Sequence, residues 1–485
     1  MNINSSICNL KFGLFFHLLF LSCSNRDEVK GQIPNVLFIA IDDMLPVLGC
    51  YGNSTALTPN IDTLANQGVL FMNAYCQVGL SNPSRASLMT GMRPDEIKVW
   101  TLKPHFREEK PNVVTLPQFY KEKGYATRAV GKIYHDGAYH QDPVSWSNPS
   151  VLSVTRDGRG HKYVLPENYM PKRSKATTTE NANVQDTAYI DGKVCQAAIE
   201  LLNQLTDSTF FLAVGFRRPH LPFSAPKKYW DLYEREMFKK ELKNPRRPAR
   251  APDFAFHNSN ELRGYEDIGE LGVIREEKQL ELLHGYFASV SYIDAQIGKL
   301  IAELKRLGRY DNTIIVLYSD NGFHLGDFGL WGKTTNYEAS VNIPLIFCGK
   351  GIEQGAINRS MVELIDIYPT LIDLTHGEMK SSHDGISLLP ILKGKSSKVK
   401  SYALSQIVRP YQDAINSRSP DSMGYSLRTE KYRYIEWRNT KNMSVFAREL
   451  YRMDDALSEK ENIASDIKNE ALMNQFSDIV NRIRK

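Results

Sequence analysis

The strongest chemical feature of the sequence is a serine at the head of the run Ser-Asn-Pro-Ser-Arg-Ala-Ser-Leu-Met-Thr-Gly, residues 81–91. Pro83 suits the first turn of a helix and Gly91 suits its C-terminal end, so the spacing predicts a helix that begins at Ser81. Free N–H groups and the helix dipole favour an anion at that end. Arg85, one turn further on, adds a permanently charged donor. Taken alone, the run also fits an ordinary capped helix.

Two predicted strands end in acidic or amide side chains. Asp42 and Asp43 follow one continuous apolar run, and Asp320 and Asn321 follow another. Ligands of open parallel sheets gather at the carboxyl ends of the strands, so we expect these four side chains to converge. Oxygen donors suit a hard divalent cation, and the number of carboxylates favours calcium over zinc.

Basic side chains follow two other predicted strands. Lys132 and His135 come after a strand expected at residues 125–130, and His220 lies between two prolines beyond an apolar run. The prolines should hold His220 in a stiff loop, which suits a general acid or an anion ligand, although a lone loop histidine is more often structural. His324 is expected to be a surface loop residue, with a sugar contact as the alternative.

These motifs resemble those of type I sulfatases, and of the iduronate 2-sulfatase branch with its bacterial relatives in particular. The run 81–91 fits the family's modification motif, with Asn82 in place of a more usual small residue. The segment 124–135 fits its second signature, and the loop around Pro219 and His220 resembles the iduronate 2-sulfatase branch. The resemblance spans nearly the whole mature chain.

The resemblance implies an activity, a cofactor and a maturation partner. The protein would hydrolyse sulfate monoesters of a sulfated polysaccharide or oligosaccharide, with the 2-O-sulfate of iduronate or a related uronate as the favoured ester. A maturase of the anaerobic type would oxidise Ser81 to formylglycine. The implied catalytic residues are Ser81, Arg85, Lys132, His135, His220 and Lys333. The implied ligands of one Ca²⁺ are Asp42, Asp43, the modified residue 81, Asp320 and Asn321.

Two other functions are compatible with the sequence. One is a phosphatase or phosphonate hydrolase of the same superfamily, although its two-zinc members need further Asp and His ligands. The other is an exported glycan-binding protein that has lost catalysis, because an unmodified Ser81 is a poor nucleophile.

The elements that position these residues alternate between strands and helices, which predicts an α/β fold with a large, mostly parallel sheet flanked by helices. The resemblance makes this the alkaline-phosphatase-like sulfatase fold. We expect a catalytic domain at residues 33–395. A C-terminal subdomain at 396–485 should hold a small antiparallel sheet and a final helix from about residue 470 to 483.

The N-terminal segment predicts export. Lys11 precedes an apolar run that is too short to span a bilayer comfortably, so residues 1–23 are expected to be a signal peptide. The sequence that ends in Cys23 resembles a loose lipobox, which leaves plain cleavage and a lipid anchor both open. The predicted location is the periplasm, or the outer membrane as a lipoprotein, of a bacterium.

The net charge and the cysteine content add two expectations, on nucleic-acid binding and on disulfide bonds. The net charge of +5 is mild and no basic arm indicates nucleic-acid binding. The remaining cysteines are expected to be buried free thiols, with a disulfide still open. They are Cys50, Cys76, Cys195 and Cys348.

Overall fold

The structure is a computed structural model that describes residues 33–151, 162–169, 175–377, 383–453 and 459–484. The predicted signal peptide, residues 1–23, and the predicted lipidation of Cys23 lie outside these ranges and stay predictions. Within the described ranges, no helix has the length and apolar character needed to cross a membrane.

Strands and helices alternate through most of the chain. The strands are β1 Asn35–Asp42, β2 Gly68–Tyr75, β3 Ala126–Gly131, β4 Thr179–Glu180, β5 Phe210–Pro219, β6 Phe223–Ser224, β7 Thr313–Ser319, β8 His324–Leu325, β9 Trp331–Gly332, β10 Asn342–Gly349, β11 Ala356–Asn358, β12 Val362–Glu363, β13 Tyr402–Arg409, β14 Ser422–Thr429, β15 Tyr432–Asn439 and β16 Val445–Arg452. The α-helices are α1 Pro59–Asn66, α2 Ser81–Thr90, α3 Pro94–Ile97, α4 Phe106–Glu109, α5 Leu116–Glu122, α6 Ile190–Gln204, α7 Lys227–Trp230, α8 Glu276–Arg306, α9 Glu338–Val341, α10 Ile367–Thr375, α11 Leu389–Leu392, α12 Tyr411–Asn416 and α13 Glu470–Ile483.

An eight-stranded sheet forms the centre of the fold, in the order β11-β2-β10-β7-β1-β5-β3, with β12 beside β2. The pairs β7–β1, β1–β5 and β5–β3 are parallel, whereas β10 is antiparallel to both β7 and β2. All eight residues of β1 are buried, as a strand covered on both faces requires. The predicted α/β class with a mostly parallel sheet is therefore confirmed.

Helices cover both faces of this sheet. One apolar core joins α1, α6 and α8 to one face, and a second joins α2, α5 and α10 to the other. Asp294 of α8 accepts hydrogen bonds from the backbone N–H groups of Asn60 and Ile61, at 3.1 and 2.8 Å, and so satisfies the first turn of α1. Helix α8 thereby also fixes the N-terminal end of helix α1.

The C-terminal strands form a four-stranded antiparallel sheet in the order β13-β14-β15-β16, against which α13 packs. The small antiparallel sheet and the final helix are as predicted, whereas the sequence pattern did not predict strand β16. The described residues from Pro34 onward form one compact unit, so the boundary at residue 395 stays a prediction. The four described cysteines are free, and all but the partly exposed Cys50 are buried.

Candidate active site

Four neighbouring parallel strands end at one edge of the central sheet. At or just beyond their ends lie Asp42 and Asp43 of β1, Lys132 and His135 after β3, His220 after β5, and Asp320 and Asn321 after β7. Ser81, the first residue of α2, lies at the same edge, with its Oγ 3.3 Å from the Oδ1 of Asp42. The convergence expected from strand direction is therefore found.

Two glycines let the chain after β3 lie against β5. A Cβ on Gly131, whose φ is 76°, would lie 2.1 Å from the carbonyl oxygen of Gly215. A Cβ on Gly215 would lie 2.1 Å from the carbonyl oxygen of Lys132. Side chains at either position would push the two strand ends apart, so both glycines are needed to bring Lys132 over the sheet edge.

The helix that begins at Ser81 forms for the reasons that the sequence suggested. Pro83 lies in its first turn and Gly91 ends it with a left-handed φ of 66°. Asn82, the unusual residue of the motif, donates from its side-chain amide to the carbonyl oxygens of Thr101 and Pro104 at 3.0 and 2.9 Å. This asparagine therefore anchors the 101–104 segment beside the helix N-terminus.

A cluster of three buried carboxylates lies next to Ser81. Oxygen atoms of Asp42, Asp43 and Asp320 all lie within 4.8 Å of one another. The Nδ2 of Asn321 donates to the Oδ1 of Asp43 at 2.7 Å, and its Oδ1 lies 3.5 Å from the Oγ of Ser81. Three carboxylates and one amide oxygen suit a hard divalent cation. Within the described ranges, the three carboxylates are the one group of at least three Asp, Glu, His or Cys side chains placed to hold a metal ion.

The backbone of Asp43 is held in an uncommon conformation. Its φ is 62°, a left-handed value that Asp tolerates better than most residues. The hydroxyl of Tyr286, from α8, donates to the carbonyl oxygen of Asp43 and accepts from the N–H of Leu45, both at 2.9 Å. This bridge fixes the turn after β1 and thus the direction of the Asp43 carboxylate.

The carboxylates differ in how readily they hold a proton. Burial and repulsion from Asp42 and Asp320 act to raise the pKa of Asp43, against the opposing charge of Lys333. Burial also acts to raise the pKa of Asp42, yet cations led by Lys132 hold it well below its ordinary value. A cation bound between these groups would relieve their repulsion, so the residues present fit the predicted metal. Its identity as calcium stays a prediction.

Arg85 is placed under the carboxylates rather than in the cavity in front of them. Its Nε donates to Asp320 at 2.9 Å and its Nη2 to Asp42 at 3.0 Å, while Nη1 donates to the carbonyl oxygens of Lys132 and Ile133. The side chain is 1% exposed. These contacts make Arg85 a positioning residue for the cluster, and direct contact with an anion stays a prediction.

Two lysines pair with the carboxylates of the cluster. The Nζ of Lys132 lies 2.6 Å from Asp42, and the Nζ of Lys333 lies 2.8 and 2.6 Å from the two oxygens of Asp43. Burial acts to lower the pKa of Lys333, but Asp43 and Glu261 outweigh it and raise that pKa. Both lysines are therefore fixed cations next to Ser81.

The two predicted histidines line one cavity beside the cluster, but their surroundings differ. The Nδ1 of His135 is buried and has no hydrogen-bond partner among the described residues, and burial holds its pKa well below the ordinary value. The Nε2 of His220 lies 3.3 Å from Glu261 and 3.8 Å from Asp43, and burial lowers its pKa to about 3. Both imidazoles are therefore neutral in this arrangement.

Glu261 is the site residue that sequence reasoning missed. Besides His220, it lies 3.5 Å from the Nζ of Lys333. Burial acts to raise the pKa of Glu261, but Lys333, His220 and Lys175 outweigh it and lower that pKa. The residue follows no strand and belongs to an irregular segment, so no local pattern marked it.

His324 corrects the expectation of a surface position. Its side chain is fully buried, and its Nε2 lies 2.9 Å from the Oγ1 of Thr335. The ring also packs 6.0 Å from that of Phe328. His324 is therefore a core residue, and no sugar contact is assigned to it.

A cavity of about 680 Å³ opens in front of the cluster. This volume is within the range of about 300–1,000 Å³ usual for small-ligand sites. Predicted site residues that line it are Ser81, His135, His220 and Lys333, and they are joined by Asp136, Lys162, Lys175, Glu261 and Tyr411. The cavity therefore gives a ligand direct access to the serine and to both histidines.

Comparison with known proteins gives this arrangement a family. The family described as Sulfatase matches residues 34–377, and the one described as N-sulphoglucosamine sulphohydrolase, C-terminal, matches residues 326–485. Iduronate 2-sulfatase of Homo sapiens is 33% identical over 476 residues, which cover 83% of this chain and 84% of that protein.

Two solved structures show the same fold. Phosphonate monoester hydrolase of Agrobacterium radiobacter matches with a TM-score of 0.74 at 21% identity, over 93% of this chain and 95% of that one. A 2-O GAG sulfatase matches with a TM-score of 0.68 at 22% identity, over 94% and 93%. These likenesses confirm the predicted alkaline-phosphatase-like fold. Since the Sulfatase model matches more than half of the sequence, and the human relative covers more than two thirds of it, the chain belongs to the sulfatase family of sulfuric ester hydrolases.

Proposed function

We propose that this sulfatase hydrolyses sulfate esters of sulfated glycans, with the 2-O-sulfate of a uronate such as iduronate as the preferred ester. The observation that carries the proposal is the placement of Ser81. It lies at the N-terminus of α2, beside the carboxylate cluster, in one cavity with Lys333, His135 and His220. Helix N–H groups and two lysines favour an anion at this point.

Ser81 needs maturation for turnover. A serine hydroxyl could be sulfated, but it has no second hydroxyl whose deprotonation would release the sulfate. Formylglycine, made from Ser81 by a maturase that supplies the oxidant, offers both hydroxyls in its hydrated form. One would attack sulfur as the sugar alcohol departs, and loss of the proton from the other would expel sulfate and restore the aldehyde, so that each cycle would consume one water.

The surrounding side chains supply charge and proton transfer. Lys132 and Lys333 lie where negative charge on the sulfate oxygens would be stabilised, and such preorganised charge is usually the largest contribution to catalysis. His135 has a free Nδ1 in a neutral ring, which suits acceptance of the hydrate proton. Lys333 would protonate the leaving sugar oxygen, and His220 would do so instead only where the negative charge of the bound sulfate raises its pKa enough to protonate the ring. Asp42, Asp43, Asp320 and Asn321 would hold Ca²⁺, which would polarise the sulfate and the attacking hydroxyl.

The glycan part of the proposal is supported by the relatives and by the cavity. The human relative is an iduronate 2-sulfatase, and one protein of the same fold is a 2-O GAG sulfatase. The cavity is large enough for more than a sulfate group and carries further charged side chains. We also propose export of the chain through residues 1–23, with a lipid anchor at Cys23 as one of two outcomes, because glycans of this kind are extracellular.

A phosphonate or phosphate monoester hydrolase is the second candidate. It is favoured by the structural match to the phosphonate monoester hydrolase, which is a match of fold alone. The carboxylate cluster argues against a two-zinc hydrolase, because the described residues provide one group of acidic ligands and no histidine within it. A glycan-binding protein without catalysis remains as an outcome of the test.

The test compares matured protein with two alanine variants of the same helix. Ser81→Ala should abolish hydrolysis of a 2-O-sulfated uronate disaccharide and of 4-nitrophenyl sulfate. Ser87→Ala is the matched control, because Ser87 is fully buried in α2 and its hydroxyl has no partner among the described residues. It should keep turnover. Mass spectrometry of the peptide that holds residue 81 reports maturation, since oxidation of serine to formylglycine removes two hydrogen atoms.

The outcomes separate the candidates. Hydrolysis of sulfate esters by the matured protein, and not by protein made without the maturase, supports the proposal. Faster hydrolysis of phosphate or phosphonate esters than of sulfate esters would favour the second candidate. Oligosaccharide binding without hydrolysis, by protein whose residue 81 is modified, would contradict an enzymatic role.

A further inference from the structure

Two lysines in the cavity take no part in the carboxylate cluster. Lys162 and Lys175 line the same 680 Å³ space as Ser81 and Lys333, yet neither pairs with Asp42, Asp43 or Asp320. Both are partly buried, so their charges are incompletely hydrated. The role of these two cations is therefore separate from the balance of charge at the cluster.

Lys162 is a cation with no paired counter-charge among the described residues. No ion pair joins its ammonium group to a carboxylate of the described chain, and its pKa falls to about 8. Burial is the main cause, and the positive charges of Arg217, Arg218 and Lys175 add to it, with Asp136 opposing. A partly buried ammonium group among other cations is costly unless an anion joins it.

Lys175 makes its direct contacts with neutral groups, and the carboxylate of Glu261 attracts it without forming an ion pair. Its Nζ donates to the backbone carbonyl oxygen of Glu261 at 3.1 Å and lies 4.6 Å from the ring centre of Tyr265. An ammonium group has three N–H donors, and these two contacts leave at least one for a ligand. The position of Lys175 is therefore fixed before any ligand enters, which lowers the entropic cost of binding.

The carboxylates of the cluster near Ser81 are already paired without these lysines. Arg85, Lys132 and Lys333 face three carboxylates of the cluster, and Glu261 lies between Lys333 and His220. Asp136 lies 3.1 Å from Arg217. The carboxylate of Glu261 also attracts Lys175, so Lys162 is the cation on the wall of the cavity that no ion pair among the described residues balances.

We propose that Lys162 and Lys175 form a second anion subsite, which binds another oxyanion of the substrate while its scissile sulfate lies at Ser81. The inference rests on the proposed function and extends it. The ligand of the subsite is a carboxylate or a second sulfate, carried by the sugar that is cleaved or by its neighbour. The enzyme then selects polyanionic glycans over singly charged sulfate esters.

The experiment measures kcat and KM of the matured full chain on four substrates. They are 4-nitrophenyl sulfate, a 2-O-sulfated uronate disaccharide with an N-acetylated neighbour, its carboxyl methyl ester, and the disaccharide with an N-sulfated neighbour. The variant is Lys162→Met, which removes the charge but keeps an apolar chain. Its melting temperature should be unchanged or higher, because the lost ammonium formed no ion pair with a residue that the structure describes.

The Lys162→Met change should raise KM for the free disaccharide by a factor roughly ten times larger than the factor for 4-nitrophenyl sulfate. It should leave kcat little changed on both substrates. If esterification removes this difference, the subsite binds the carboxylate. If the difference survives esterification and grows with the N-sulfated neighbour, it binds the second sulfate. Lys278→Met is the control, since Lys278 is a partly buried lysine outside the cavity, paired with Asp267 and Glu281.

Equal changes on all four substrates, or no change on any, would overturn the subsite while leaving the sulfatase proposal intact. Failure of the matured parent protein to hydrolyse any of the four would instead refute the proposed function. A Lys175→Met variant gives an independent check, because it should show the same substrate dependence as Lys162→Met.

Discussion

Replacement of Lys333 by Met tests the charge balance of the site. The side chain is 6% exposed, and its Nζ pairs with both oxygens of Asp43, at 2.8 and 2.6 Å. Loss of one partner from a buried ion pair costs about 3–5 kcal/mol in the free energy of unfolding. Loss of one preorganised charge donor costs roughly 10²–10³ in kcat. Lys333→Met should therefore lose both stability and turnover.

Lys400 provides the matched control for this variant. Its side chain is 5% exposed, and its Nζ lies 2.5 Å from Glu363 and 2.6 Å from Asp366, outside the cavity. Lys400→Met should cost about 3 kcal/mol of stability, at the lower end of the range for a broken buried pair, because Arg93 still pairs with Glu363. Its kcat, corrected for the folded fraction, should stay within about twofold of the parent value.

The assay combines urea denaturation with initial rates on 4-nitrophenyl sulfate at a temperature at which both variants are folded. If kcat falls equally in the two variants, stability alone explains the loss and the assigned role of Lys333 is wrong. If Lys333→Met keeps its kcat, the lysine does not stabilise charge on the sulfate.

Three further predictions concern Ser81, the carboxylate cluster and His324. Ser81→Ala should lose turnover while its free energy of unfolding changes by less than about 1 kcal/mol, because the hydroxyl makes only two long hydrogen bonds, which urea denaturation would check. Calcium should raise the melting temperature of chelator-treated protein, and Asp320→Asn should abolish most of that rise; an unchanged rise would exclude the cluster as the metal site. Burial and the charge of Arg409 lower the pKa of His324 from 6.5 to about 3, so the unfolded chain binds one more proton between these values. Stability should be complete above pH 6.5 and fall below it by about 1.4 kcal/mol per pH unit from this residue, and a His324→Gln variant should show a shallower fall in urea titrations between pH 7 and 5.

Much of the site could be predicted because it depends on strand direction. Asp42, Asp320, Lys132 and His220 follow apolar runs, and parallel strands end at one edge of a sheet whatever their order. The sequence pattern did not reveal that order, nor the antiparallel strand β10 between β7 and β2. Strand neighbours are decided by long-range packing, which local periodicity does not contain.

Glu261 and His324 show where local reasoning ends. Glu261 lies in an irregular segment, and only the folded chain brings it within 3.3 Å of His220. His324 is a polar residue in a loop-like sequence, yet Thr335 satisfies its Nε2 and allows it to be buried. In both cases the partner lies outside the local sequence pattern, so the residue type alone gave no signal or the wrong one.

The positions of Lys132 and Lys333 explain how metal binding and anion binding can depend on each other. In this structure both ammonium groups are the counter-charges of Asp42 and Asp43, so neither has all its donors free for a sulfate. Carboxylates that ligate a divalent cation no longer need the lysines for charge balance. The same two lysines can then donate to an anion beside Ser81 without leaving buried carboxylates uncompensated. The arrangement therefore couples the two ligands through shared carboxylates, and this coupling must be reciprocal because it is a free energy of binding.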